Sequence, residues 1–166
     1  VEILRTARLK LRLLDENDAP FILELVNEPG WLENIGDRGV RDLEGARRYI
    51  STGPVESYRR HGFGLWLVAL ESGEPIGMCG LIKREGLEDA DIGYAILQRH
   101  AGQGYAYEAA SAVLSYARDV IGLEKVVAIV SPTNAASIAV LTKIGLTFQG
   151  MIRLPGVDRE TSYFAT

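Results

Sequence analysis

At 166 residues, with 47% apolar side chains and a formal charge of −4, the chain is long enough for one domain with a buried core. The acidic balance argues against a dedicated nucleic-acid binder, which carries a basic excess, and no apolar run is long enough to cross a bilayer as a helix. Val1-Glu2-Ile3-Leu4-Arg5 lacks the apolar segment of a secretory leader, and the single cysteine, Cys79, allows no internal disulfide; both features fit a cytoplasmic protein. His61 and His100 are too few and too isolated for a zinc site, so no metal is expected.

Leu9-Lys10-Leu11-Arg12-Leu13 alternates apolar and charged residues, the pattern of a half-buried strand. Asp15-Glu16-Asn17-Asp18 supplies helix-start residues, and Phe21, Ile22, Leu25 and Val26 follow at helical spacing until Pro29-Gly30. A second helix is predicted from Asp42 to Ser51. Ile35 to Gly39, Gly53-Pro54 and His61-Gly62 read as loops. Gly64 to Leu70 and Pro75 to Lys83, on either side of Glu71-Ser72-Gly73-Glu74, form an antiparallel hairpin with Cys79 in the core. Ala90 to Leu97 is a further strand. It runs into a glycine turn and then a helix from Tyr105 to Val120, whose Ala109, Ala112, Val113, Tyr116 and Ala117 share one face.

Lys125 to Val130 is a short, very apolar strand suited to a sheet interior. The loop Ser131-Pro132-Thr133-Asn134 leads into a helix from Ala135 to Ile144, which buries Ile138, Leu141 and Ile144. Phe148 to Arg153 and Thr161 to Ala165 are the last strands. The order β-α-α-β-β-β-α-β-α-β-β describes an α+β protein, one domain over residues 1–166 on a mostly antiparallel sheet.

The stretch from Asp91 to Glu108 organises the rest. It begins as a strand, turns through Gly102 and Gly104, and opens directly into a helix. Glycines allow a sharp bend or the close approach of a ligand. The helix start presents unpaired N–H groups and a partial positive charge, which together suit a phosphate or pyrophosphate. On the glycines alone, a bare strand-to-helix turn serves equally well. A dinucleotide-binding turn would need a small residue where this chain has Tyr107. Glu108, in the first helical turn, reads as structural.

Four segments resemble the GNAT N-acetyltransferases, and among them the RimJ/RimL-like branch that acetylates protein N-termini. Leu4-Arg5-Thr6-Ala7-Arg8-Leu9-Lys10-Leu11-Arg12 is similar to that branch's opening strand, and Ala90-Asp91-Ile92-Gly93-Tyr94 to its fourth strand. Gly102-Gln103-Gly104-Tyr105-Ala106-Tyr107-Glu108-Ala109 resembles its pyrophosphate loop. Asn134-Ala135-Ala136-Ser137, continuing to Lys143-Ile144-Gly145-Leu146, resembles its second cofactor motif. The chain departs from the pattern at Ala101, Leu141 and Leu146. Leu141 stands where many members place a tyrosine acid, so a tyrosine mechanism at that position is excluded.

The resemblance implies the acyl-CoA N-acyltransferase fold: a mixed, mostly antiparallel sheet with helices on both faces. It implies acetyl-CoA as cosubstrate and a primary amine as acceptor; with no nucleophile in evidence and Cys79 outside the matched motifs, direct transfer in a ternary complex is expected. The backbone of Gly102, Gln103, Gly104, Tyr105 and Ala106 is expected to hold the pyrophosphate, and that of Ile96 and Leu97 to pair with the pantetheine amides. A backbone N–H at the end of this strand is the simplest donor to the thioester oxyanion. Lys143 either reaches a CoA phosphate or is a solvated helix lysine. Asn134 contacts the pantetheine, caps the helix, or both. Ser137 stabilises or protonates the leaving thiolate, or simply bonds to backbone. Asp91 acts as base through water or is only a strand-start carboxylate.

A neutral α-amine is easier to reach than a neutral lysine, by about 3.3 kcal/mol from their reference pKa values. With no obvious buried base, the favoured acceptor is a protein N-terminus, ribosomal on resemblance alone. A polyamine, amino sugar or antibiotic is the alternative within the same chemistry, and a silent CoA-binding module is the alternative outside it. Neither membrane nor nucleic acid is an expected partner, and monomer and homodimer both remain open.

Overall fold

The computed structural model describes residues 1–166. Eight strands form one sheet: β1 (Glu2–Arg5), β2 (Leu9–Arg12), β3 (Leu65–Leu70), β4 (Pro75–Ile82), β5 (Asp91–Ile96), β6 (Val127–Val130), β7 (Thr147–Ile152) and β8 (Thr161–Ala165). Their order across the sheet is β1-β2-β3-β4-β5-β6-β8-β7. Every neighbouring pair is antiparallel except β5–β6.

Alternation along the strands divides the interior into two cores. On β3, Trp66 and Val68 face the larger core, which contains α5 (Tyr105–Tyr116), while Leu67 and Ala69 face the smaller one. The smaller core is closed by α1 (Ala19–Leu25), α2 (Pro29–Asn34) and α3 (Leu43–Thr52). α6 (Ala135–Lys143) joins the larger core through Leu141, which is 1% exposed. Helices therefore cover both faces, as expected. Cys79 of β4 is completely buried in the larger core, and burial pushes its thiol pKa up.

Three elements differ from the sequence expectation. The opening segment is a hairpin, because the Thr6 N–H donates to the Leu9 carbonyl and reverses the chain between β1 and β2. Pro29 does not merely end a helix but starts α2, where its missing N–H costs nothing. Likewise, Gly53-Pro54 opens α4 (Pro54–His61), and Gly62, in the left-handed region at φ 77°, ends it. The order of elements becomes β-β-α-α-α-α-β-β-β-α-β-α-β-β.

The helix after the glycine turn is α-helical to Tyr116 and finishes in one π-helical turn, Ala117–Ile121. Its buried face is Ala109, Ala110, Val113, Leu114 and Ala117, and Tyr116 meets Trp66 edge-on. The small side chains let the helix lie close to the sheet. At the other end, Glu108 accepts hydrogen bonds from the Thr6 hydroxyl and from the backbone and side chain of Arg8. Burial alone would raise its pKa, but these donors outweigh that and lower it. Glu108 thus ties the β1–β2 turn to the start of α5, the structural role expected for it.

The parallel pair β5–β6 has a single register match, Asp91 with Val127. Beyond that point the two strands part. β4 remains paired with β5 from Asp91 to Ile96, and β8 remains paired with β6 throughout. The gap between them is the functional feature of the fold.

Candidate active site

A cleft of about 1020 Å³ passes through this gap, lined by Ile92 to Ile96 of β5 and Ala128 to Ser131 of β6. Because β6 diverges, the β5 backbone edge facing it is left open to pair with an extended ligand.

The glycine turn follows β5. A short 3-10 turn, Gln98–His100, is pinned to the helical layer: the Gln98 N–H donates to Glu28, and Arg99 pairs with Glu24. Gly102 (φ 76°) and Gly104 (φ 83°) then take left-handed conformations that a side chain rarely adopts. A Cβ at Gly102 would meet nothing within 4 Å, so the space in front of the turn is open. Gly104 is the N-cap of α5 and supplies no side-chain cap, leaving the first-turn N–H groups free. Two tyrosines of that first turn carry cations: Arg8 lies 4.5 Å from the Tyr105 ring centre and Lys143 lies 4.1 Å from that of Tyr107. The turn therefore offers convergent backbone donors with positive charge beside them, which fits a pyrophosphate.

Across the gap, Asn134 caps α6 by accepting the Ser137 N–H at 3.2 Å. Both residues line the cleft. From β5, Tyr94 reaches over to α6, its hydroxyl 2.9 Å from Ser137 Oγ and 3.0 Å from the Ser137 carbonyl oxygen. Burial raises the Tyr94 pKa to about 12, against a smaller lowering by the hydrogen bond to Ser137. Leu141, by contrast, is sealed in the core.

Asp91 lies at the other end of β5. It is 2% exposed, and Arg84 approaches it with two contacts of 3.3–3.4 Å. Burial raises its carboxyl pKa, and the Arg84 charge partly offsets the rise. Asp91 and Tyr94 are three residues apart on one strand and so project to opposite faces of the sheet. Both line the cleft.

The structure thus gathers Ile96, Asn134, Ser137 and Ala106 around the cleft. Gly102, Gln103, Gly104 and Tyr105 form the turn that leads to it, and Lys143 stands beside that turn on Tyr107. Leu97 is fully buried, its N–H donating to Ile76, so only its position next to Ile96 serves the cleft.

Sequence reasoning missed Tyr94, Arg84 and Trp31. The sign available for Tyr94 was its alternation with Ile92 and Ile96, which puts it on the α5 and α6 side. Arg84 and Trp31 gave no sign, since each gains its place only when α2 or the β4–β5 loop folds against the sheet. Trp31, 7% exposed, lines the cleft with its indole N–H unpartnered.

Residues 8–147 match the family described as Acetyltransferase (GNAT) domain. YkkB of Bacillus subtilis (strain 168) is 32% identical over 152 residues, covering 89% of this chain and 87% of YkkB. The crystal structure of an acetyltransferase from Agrobacterium tumefaciens str. C58 superposes with a TM-score of 0.84 at 30% identity, over 98% of this chain and 92% of that one. The ribosomal L7/L12 alpha-N-protein acetyltransferase RimL, solved in complex with coenzyme A, shares the fold with a TM-score of 0.83 at 24% identity, over 100% of this chain and 97% of RimL. No helix is long and apolar enough to cross a membrane. With its splayed parallel strands, its glycine turn opening a helix and this family match, the chain belongs to the GNAT acetyltransferases and is an acetyl-CoA-dependent N-acetyltransferase.

Proposed function

We propose that this enzyme acetylates the α-amine of a protein N-terminus by direct attack, with acetyl-CoA and the acceptor bound together in the cleft. The observation that carries the reading is the opening between β5 and β6, with the glycine turn at its end and Ser137 on its flank. The N–H groups from Gly102 to Ala106 hold the pyrophosphate, with Gln103 and Tyr105 contributing main chain. Lys143 adds charge toward a CoA phosphate. The open edge of β5 down to Ile96 pairs with the pantetheine amides, Leu97 serving only to hold Ile96 in place, and a backbone N–H near the end of the strand receives the thioester oxygen. Asn134 fixes the first turn of α6, and Ser137 donates to the sulfur as the C–S bond breaks.

Asp91 serves as base through water. Burial raises its pKa and so favours proton uptake, and the Arg84 charge partly offsets the rise. A carboxylate of this kind is a modest base, which suits an α-amine (pKa ~8) better than a lysine (pKa ~10.4). RimL, whose name gives it an α-N-protein acceptor, has the same fold. The residues 1–166 act as one domain on this reading.

The test is CoA release from acetyl-CoA with a panel of N-terminal peptides and small amines. Release with peptides is expected. Release with small amines alone would remove the protein acceptor, and binding of acetyl-CoA without turnover on any amine would leave a silent CoA-binding module.

A further inference from the structure

We propose that Tyr94 is a positioning residue: its hydroxyl, 2.9 Å from Ser137 Oγ and 3.0 Å from the Ser137 carbonyl oxygen, decides whether the serine hydrogen points at Tyr94 or at the sulfur of CoA. The inference rests on the role proposed above for Ser137.

Counting hydrogens gives the reason. The Ser137 carbonyl only accepts, and each hydroxyl carries one hydrogen. If Tyr94 donates to the carbonyl, the Oγ contact must be filled by the serine hydrogen, and Ser137 then shows the cleft only lone pairs. If Tyr94 donates to Oγ, the serine hydrogen is released toward the cleft. The two states differ by rotation of two O–H bonds and need no heavy atom to move. The carbonyl loses little in the second state, because within α6 it still accepts a helical N–H from Leu141. Negative charge growing on sulfur favours the second state. The Tyr94→Ser137→sulfur chain also strengthens the final hydrogen bond, since a hydroxyl that accepts one bond donates the next more strongly.

Two further observations keep the device in working order. Tyr94 is always protonated near neutral pH, because burial holds its pKa at about 12. Its titratable neighbour across the sheet is Cys79, paired in register on β4, which is buried and neutral. The Ser137 amide is occupied by Asn134, so the serine backbone is fixed while its hydroxyl turns. Without the Tyr94 hydroxyl, Ser137 Oγ loses its donor and the serine hydrogen is no longer steered toward the sulfur.

The experiment compares CoA with desulfo-CoA, which lacks the thiol, by calorimetry across pH, using wild type, Tyr94→Phe, Ser137→Ala and the double variant. A hydrogen bond that lowers the bound thiol pKa by one unit gives no gain over desulfo-CoA near pH 6 and a gain that grows to about tenfold as pH rises past the free thiol pKa of about 8.5. That gain is expected in wild type and lost in all three variants, with desulfo-CoA affinity unchanged as the measure of intact folding. Turnover should fall about tenfold or more in Tyr94→Phe, with no additional fall when it is added to Ser137→Ala.

Additive losses in the double variant would overturn the inference, as would weakened desulfo-CoA binding in Tyr94→Phe, since either means Tyr94 acts by packing. A Tyr94→Phe variant that keeps the pH-dependent gain would overturn it too. If Ser137→Ala alone keeps the gain, the serine role fails and takes this inference with it, while acetyl transfer itself would still stand.

Discussion

The two ends of the cleft are built on opposite plans. Where β5 runs into α5, the wall is main chain: open strand edge, two left-handed glycines and uncapped helix N–H groups. Where α2 and α3 close over β5, the wall is side chain: Trp31, Arg38 and Tyr49 line it, with the Trp31 N–H unpartnered. The first plan suits the proposed grip on acetyl-CoA through main-chain groups that every residue has. On the function proposed above, the second meets the acceptor through side chains. Substitutions should therefore act differently at the two ends.

The largest effect belongs to backbone conformation. Gly104→Val forces a β-branched residue to φ 83°, a conformation that L side chains rarely adopt. Calorimetry should find acetyl-CoA affinity reduced more than about 100-fold in a protein that still melts cooperatively, through loss of the convergent N–H geometry. Unchanged affinity would break the comparison at its main-chain end.

Next comes the charged pair at the foot of β5. Arg84→Met removes the only side chain that lowers the Asp91 pKa. With burial opposed only by a backbone hydrogen bond, the carboxyl should hold its proton to higher pH. The acid limb of the kcat/KM profile should then move to higher pH, with activity recovered on its alkaline side. An unmoved limb would remove Asp91 as the base.

A smaller effect is expected at the acceptor end. Trp31→Phe deletes an N–H that bonds to nothing in the protein, so the melting temperature should hold or rise slightly. The amine KM should rise about three- to tenfold with the acetyl-CoA KM unmoved. The smallest effect sharpens the contrast: Gln103→Ala, in the middle of the turn, should leave acetyl-CoA affinity within about twofold, because only its backbone is used.

The same division explains what could be read from the sequence. The glycine turn was legible because main-chain recognition leaves a residue trace: Gly102 and Gly104 are required by their φ angles whether or not a ligand is known. Asn134 was legible as a cap, since a side-chain acceptor before a helix has one common use. β3, β4 and β5 followed from apolar runs between turn residues. The hairpin β1–β2 was hidden because Thr6-Ala7-Arg8 contains no glycine, and α4 because Gly53-Pro54 reads as a loop when Pro54 in fact begins a helix. Alternation shows which face Tyr94 takes, but its partner lies 43 residues away and that of Arg84 lies 7 away, and no local pattern names either partner.

The complete enclosure of Cys79 has a practical consequence. The native fold presents no sulfhydryl to a colorimetric disulfide reagent, so all colour that develops during turnover reports released coenzyme. A cysteine engineered onto the exterior would equally be the sole target of a maleimide dye, and a fluorophore could be installed at either mouth of the cleft without first stripping the wild-type protein of a competing group.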